Sequence, residues 1–121
     1  MSARITWHHI PWETVNENIS RKVVSGKNLM MIYYRFQPFQ RWPAETHAAE
    51  QCGYILKGKI ILRLDDEEKE LQLEAGDSYL IASNRKHSWQ VMDEEVLLVD
   101  FFSPPRNELI DNKYAPLARA D

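Results

Sequence analysis

Apolar residues gather along the chain into short segments of β-strand character: residues 28–36 (NLMMIYYRF), 51–56, 59–64, 70–73, 78–81, 88–92 and 96–102 (VLLVDFF). Each is bounded by turn-forming material, namely Pro38, Gly58, the acidic cluster at 65–68, Gly76-Asp77, Asn84 and the acidic cluster at 93–95. Short strands at this spacing, with almost no helical periodicity between them, predict an all-β sandwich or barrel. From Asn107 onward the chain is polar and carries Pro116, which reads as a short helix followed by a loose tail.

LMMIYY and VLLVDFF are apolar at both parities. Both faces of those strands should therefore be covered, by N-terminal residues or by a second subunit. At 121 residues the chain has the length of a single domain, and no repeat or glycine-rich linker divides it. The net charge is −3, with acids and bases interspersed, which argues against the basic footprint that nucleic acid or an anionic membrane surface requires. No apolar run reaches the length of a membrane span, and the opening MSARITWHHIPW lacks the apolar core of a signal peptide. Cys52 is the only cysteine, so no intramolecular disulfide can form and a soluble, cytoplasmic protein is expected.

Candidate chemistry concentrates in residues 38–58, PFQRWPAETHAAEQCGYILKG. Glu45 and His47 are two apart and Gln51 lies four further on, so on one extended segment all three side chains leave from the same face. His87 follows the next turn-rich block, GDSYLIASNRKH, and an antiparallel barrel can bring it beside them. Imidazole and oxygen donors in such a group suit one divalent metal ion, with Zn, Ni, Fe and Mn all acceptable. Plainer readings stay open: a histidine can be an ordinary strand residue, Gln51 can merely hydrogen-bond a ligand, and Glu45 can be a surface acid. His8 and His9 would diverge on a strand and receive no role, while Cys52, out of phase with the ligand face, reads as a small core residue.

These motifs resemble those of the cupin superfamily. Aligned on Gly58, Gln51 takes the place of the first motif's glutamate, while Glu45 and His47 take those of its two histidines; Phe39 stands where its opening glycine would be. In the second motif Gly76 and His87 match, and Ala82 and Asn84 replace proline and glycine. Asparagine tolerates the left-handed backbone that glycine would adopt there. The resemblance implies a single cupin jelly-roll β-barrel (a double-stranded β-helix) over 1–121, its core at about residues 28–106, and a homodimer as is usual for small cupins. EQCGYILKGKI and VDFFSPPRNEL are similar to the KdgF group of cupins, which opens and ketonises unsaturated monouronates. That likeness implies pocket roles for Asp100, Phe102 and Arg106.

Asp100, inside VLLVDFF, must be desolvated unless paired, which raises its pKa and suits proton transfer; the alternative is a structural pair with Arg106 or another base. Trp89 shares parity with His87 and can wall the pocket, beside Phe102, against a small polar substrate such as a sugar acid. Three functions follow. The first, implied by the resemblance, is metal-dependent ring opening and tautomerisation of a sugar acid, with Asp100 carrying the proton and Arg106 holding the substrate carboxylate. The second is an Fe(II) dioxygenase using two histidines and Glu45. The third is a ligand-binding module without turnover.

Overall fold

The computed structural model describes residues 3–65 and 69–111. A 3-10 turn at Trp7–His9 leads into ten strands: β1 (Glu13–Asn16), β2 (Ile19–Ser25), β3 (Met30–Phe36), β4 (Arg41–Glu45), β5 (Glu50–Lys57), β6 (Lys59–Leu64), β7 (Lys69–Glu74), β8 (Ser78–Ile81), β9 (His87–Val91) and β10 (Val96–Ser103). A short helix, α1 (Asn107–Asp111), follows; the expected loose tail beyond it lies outside the described residues. The strands form two antiparallel sheets, a six-stranded one ordered β1-β2-β3-β10-β5-β8 and a four-stranded one ordered β4-β9-β6-β7. This is the all-β jelly roll, and its turns have the anticipated chemistry. Gly58, Gly76 and Asn84 adopt φ of 89°, 96° and 65°.

Three strands were not anticipated, and each hides its pattern for a physical reason. β4 contains Pro43, which argues against a strand, yet it lies at a sheet edge where a missing N–H disrupts no inner ladder. β2 buries Arg21 and Lys22 among its apolar residues, and β1 is its short edge partner. Arg21 Nε donates to Glu13 Oε1 at 2.6 Å, and Lys22 Nζ donates to the Trp7 carbonyl at 2.8 Å while lying 4.6 Å from the Trp12 ring centre.

Between the sheets lies an aromatic core. Trp42 and Trp89 face each other across the β4–β9 ladder with ring centroids 5.7 Å apart, Phe36 meets Trp89 edge-on at 4.6 Å, and Tyr34 stacks on Phe36 at 4.9 Å. Offset-stacked and edge-to-face rings add specific attraction to the area they bury. The expected cover over β3 comes from the N-terminal segment, because Tyr33 on its outer face is packed by Trp7 and Trp12 at 5.6 and 5.4 Å. The outer residues of β10, Leu97, Val99 and Phe101, are half-buried, with exposed Leu29, Tyr54, Leu56 and Leu80 on the same sheet or its margin.

Two expectations need correction. Cys52 is exposed, not a core residue: its neighbours in β5, Gln51 and Gly53, point inward, so a position out of phase with the ligand face points outward. His8 and His9 do not diverge on a strand but sit in the 3-10 turn, exposed, with rings 4.4 Å apart. Phe36, fully buried between Tyr34, Trp42 and Trp89, tests the core directly. Phe36→Ala is expected to cost about 3–5 kcal/mol in equilibrium denaturation; a loss below about 1 kcal/mol would mean this cluster does not hold the sheets together.

Candidate metal centre

The β4–β9 register places Glu45 opposite His87, so the last residue of one strand meets the first of its neighbour. The chain then leaves the four-stranded sheet, crosses at residues 46–49 with His47 on the crossing, and enters the six-stranded sheet, where Gln51 faces inward. Glu45, His47 and Gln51 are thus brought together by a crossing between sheets, not by parity along one extended strand. The turn before β9 is tied to that crossing. Asn84 N donates to the His47 carbonyl at 2.8 Å, and Ser83 Oγ to the Ala48 carbonyl at 2.6 Å.

Glu45 Oε1 lies 3.6 Å from His47 Nε2 and 3.7 Å from His87 Nε2, and Gln51 Oε1 lies 3.2 Å from His47 Nε2. Each histidine directs Nδ1 at a backbone carbonyl, His47 at Ala49 and His87 at Arg85, both at 2.8 Å. A carbonyl only accepts, so on His87 the ring hydrogen belongs on Nδ1 and Nε2 presents a lone pair; His47 has an acceptor at each nitrogen, and the shorter contact, 2.8 Å to Ala49 against 3.2 Å to Gln51 Oε1, favours the same tautomer. Burial, the largest influence, lowers both histidine pKa values and keeps the rings neutral. Gln51 spends its amide N–H on Asp100 Oδ1 at 3.1 Å, which turns its carbonyl oxygen toward His47. With those tautomers, lone pairs of Glu45, His47 and His87 converge, with the Gln51 carbonyl oxygen beside His47, and a cation suits that arrangement.

The two spacings from Glu45 Oε1 to the imidazole nitrogens, 3.6 and 3.7 Å, are close to those of a ligand set. The ligand atoms of Glu45, His47 and His87 all lie within 4.8 Å of one another. Bonds of about 2.0–2.2 Å to one tetrahedral ion put its donors about 3.3–3.6 Å apart.

Arg106, just before α1, closes its fork on Glu45, with Nη1 3.0 Å from Oε1 and Nη2 3.4 Å from Oε2, while Nε donates to Glu108 Oε2 at 3.1 Å. The fork expected for a substrate carboxylate is thus on Glu45, and Asp100 does not make a hydrogen-bonded pair with Arg106, one of its two alternative readings. Asp100 instead accepts from Gln51 and from the Tyr79 hydroxyl, the latter at 2.5 Å. Gly53 makes this second bond possible. It lies between Asp100 and Tyr79 in the sheet register, and a Cβ there would come within 2.3 Å of the Tyr79 ring, so only glycine lets the phenol cross the strand. Burial raises the Asp100 pKa to about 6, against the lowering effect of Tyr79 and Gln51.

Trp89, Phe102, Tyr34 and Trp42 wall a cavity onto which Glu45, Gln51, Asp100 and Arg106 also open. Its free space is of the order of one water molecule. Tyr34, Trp42 and Tyr79 were missed in the sequence because aromatic residues in strands are ordinary core material. Gly53, a lone glycine inside a strand, was the readable sign of a close approach.

Residues 32–102 match the model of the cupin domain family. The chain belongs to the cupin family. The pectin degradation protein KdgF of Dickeya dadantii is 28% identical over 102 residues, covering 83% of this cupin and 91% of that protein. The structure of KdgF from Halomonas sp. superposes with a TM-score of 0.81 at 23% identity, covering 90% of this chain and 99% of that one. An RmlC-like cupin from Shewanella frigidimarina superposes at 0.80 with 20% identity, covering 90% and 96%. Both superpositions show a shared fold, and the KdgF sequence match places this cupin near that group. Phe39, where the cupin motif has glycine, keeps the glycine-like backbone with φ of 65°.

Two outcomes follow for the Asp100 cradle. Because the folded pKa of about 6 exceeds the ordinary 3.8, the protonated carboxyl favours the fold below about 3.8, and that contribution is lost as pH rises through about 6. In metal-free protein the stability of Asp100→Asn relative to wild type should therefore increase between about pH 4 and pH 7 in denaturant titrations; a pH-independent difference would contradict the shift. Gly53→Ala should destabilise by about 1–3 kcal/mol by displacing Tyr79. Tyr79→Phe should then add little on top, whereas full additivity would show that the two do not meet.

Proposed function

We propose that this cupin is a metal-dependent enzyme that opens and tautomerises a small sugar acid of the unsaturated uronate kind. The observation that carries this reading is the grouping of Glu45, His47 and His87, with Glu45 opening onto a cavity that also holds a buried carboxyl with a pKa of about 6. The likeness to a pectin degradation protein supports the substrate class. Glu45, His47 and His87, with Gln51 beside them, would hold one divalent ion, whose contribution is Lewis acidity toward substrate oxygens.

Asp100 carries the proton. Tyr79 and Gln51 both donate to Oδ1, leaving Oδ2 to take a proton from a substrate hydroxyl and return it to carbon, so no proton is gained or lost overall. A pKa near working pH suits both halves of that transfer. Phe102 and Trp89 shield the exchange from water. The narrowness of the cavity implies that its aromatic walls part to admit a monosaccharide. The exposed Cys52 suits a reducing cytoplasm, and the apolar outer face around Leu80 and Phe101 suits a homodimer. Sedimentation at micromolar concentration should show two chains per particle, and a monomer alone would remove the dimer.

A dioxygenase is the second reading, favoured by the two-histidine, one-carboxylate donor set, which matches non-haem Fe(II) centres. Substrate-dependent oxygen uptake would select it. For the first reading, Asp100→Asn should retain metal and lower turnover of an unsaturated uronate about 100-fold or more, followed by loss of ultraviolet absorbance. His47→Ala and His87→Ala should each lose stoichiometric metal while remaining folded. Unchanged turnover in Asp100→Asn removes Asp100 from the chemistry, and full metal in either histidine variant removes the centre.

A further inference from the structure

We infer that Arg106 is a positioning residue for the metal centre, fixing the Glu45 carboxylate as a one-oxygen ligand beside His47 and His87 and so setting how tightly a divalent ion is held. This inference rests on the metal-centre reading above. Glu45 is the last residue of its strand, and among the described residues its carboxylate hydrogen-bonds only to Arg106. Both its oxygens meet the guanidinium, at 3.0 and 3.4 Å, and Oε1 alone also faces the two imidazoles, at 3.6 and 3.7 Å. With Oε2 turned to Nη2, Glu45 would offer a single donor atom to an ion.

Arg106 is itself held. Its Nε donates to Glu108 at 3.1 Å, its guanidinium lies 5.2 Å from the Phe102 ring centre, and the Leu109 N–H bonds its carbonyl at 3.0 Å at the start of α1. The guanidinium also compensates a carboxylate that is only 3% exposed and would otherwise be a buried, unpaired charge. Two effects then oppose each other, because Arg106 places the ligand yet repels a nearby divalent cation. Loss of a ligand's supporting partner typically weakens metal binding by about 10–100-fold, which decides for placement. Nε, Nη1 and Nη2 each face a protein carboxylate, so three of the five guanidinium hydrogens are spent on Glu45 and Glu108.

Cobalt(II) is the probe, with affinity read by chelator competition and coordination by its visible spectrum. Arg106→Lys keeps the positive charge opposite Glu45 but removes the fork, which protects folding; melting curves check it. It should weaken cobalt binding about 10-fold or more and alter the spectrum. In a Glu45→Gln background the same substitution should change affinity by less than about 2-fold, because its effect passes through Glu45. Wild-type or tighter binding in Arg106→Lys, or an equal loss in the Glu45→Gln background, would overturn the inference. A wild-type protein that takes up no cobalt would overturn the metal centre itself, before any substitution is made.

Discussion

Glu45 Oε1 and the Nε2 atoms of His47 and His87 gather at the end of this barrel, with Gln51 Oε1 beside His47, and the surrounding structure is organised around that meeting of acceptors. Left alone, converging lone pairs in a low-dielectric interior repel and lose the hydrogen bonds that water would give them. Each is aimed by a partner on its far side. Backbone carbonyls of Ala49 and Arg85 take the Nδ1 hydrogens of His47 and His87, Asp100 takes the Gln51 amide, and Arg106 takes both oxygens of Glu45. The proton positions are thus set by the outer partners, and the inner face is left for a cation.

The fold supplies rigidity for this from both sheets. Glu45 and His87 are registered against each other in the four-stranded sheet, beside the Trp42–Trp89 stack, while Gln51, Asp100 and Tyr79 are registered in the six-stranded one across Gly53. Bringing the two groups together takes only the short crossing at 46–49, pinned by the turn at Asn84. Asp100 links the centre to the catalytic proposal, since the residue that orients Gln51 is also the buried acid of the cavity. A change at Tyr79 or Gly53 is therefore felt at the metal end through two hydrogen bonds.

Much of this was legible in the sequence. The seven anticipated strands recur within two residues of their observed ends, because their apolar runs stop at glycine, asparagine or acidic turns whose backbone demands are local. The ligand candidates were visible through motif spacing, although the geometric reason offered, one extended face, does not hold: a crossing between sheets has no periodic signature. β4 was hidden by Pro43, tolerated at an edge, and β2 by buried Arg21 and Lys22, whose partners lie on neighbouring N-terminal segments. The pairing of Arg106 with Glu45 joins residues 61 positions apart, and nothing in the local sequence announces which acid a buried arginine will choose.

Crystals of untagged protein, measured above and below a transition-metal absorption edge, address the convergence most directly. An anomalous difference peak about 2.0–2.3 Å from the Nε2 atoms of His47 and His87 and from Glu45 Oε1 is the expected result. A water molecule at that position in protein given excess metal, with Nε2 protonated and donating to Glu45, would contradict it.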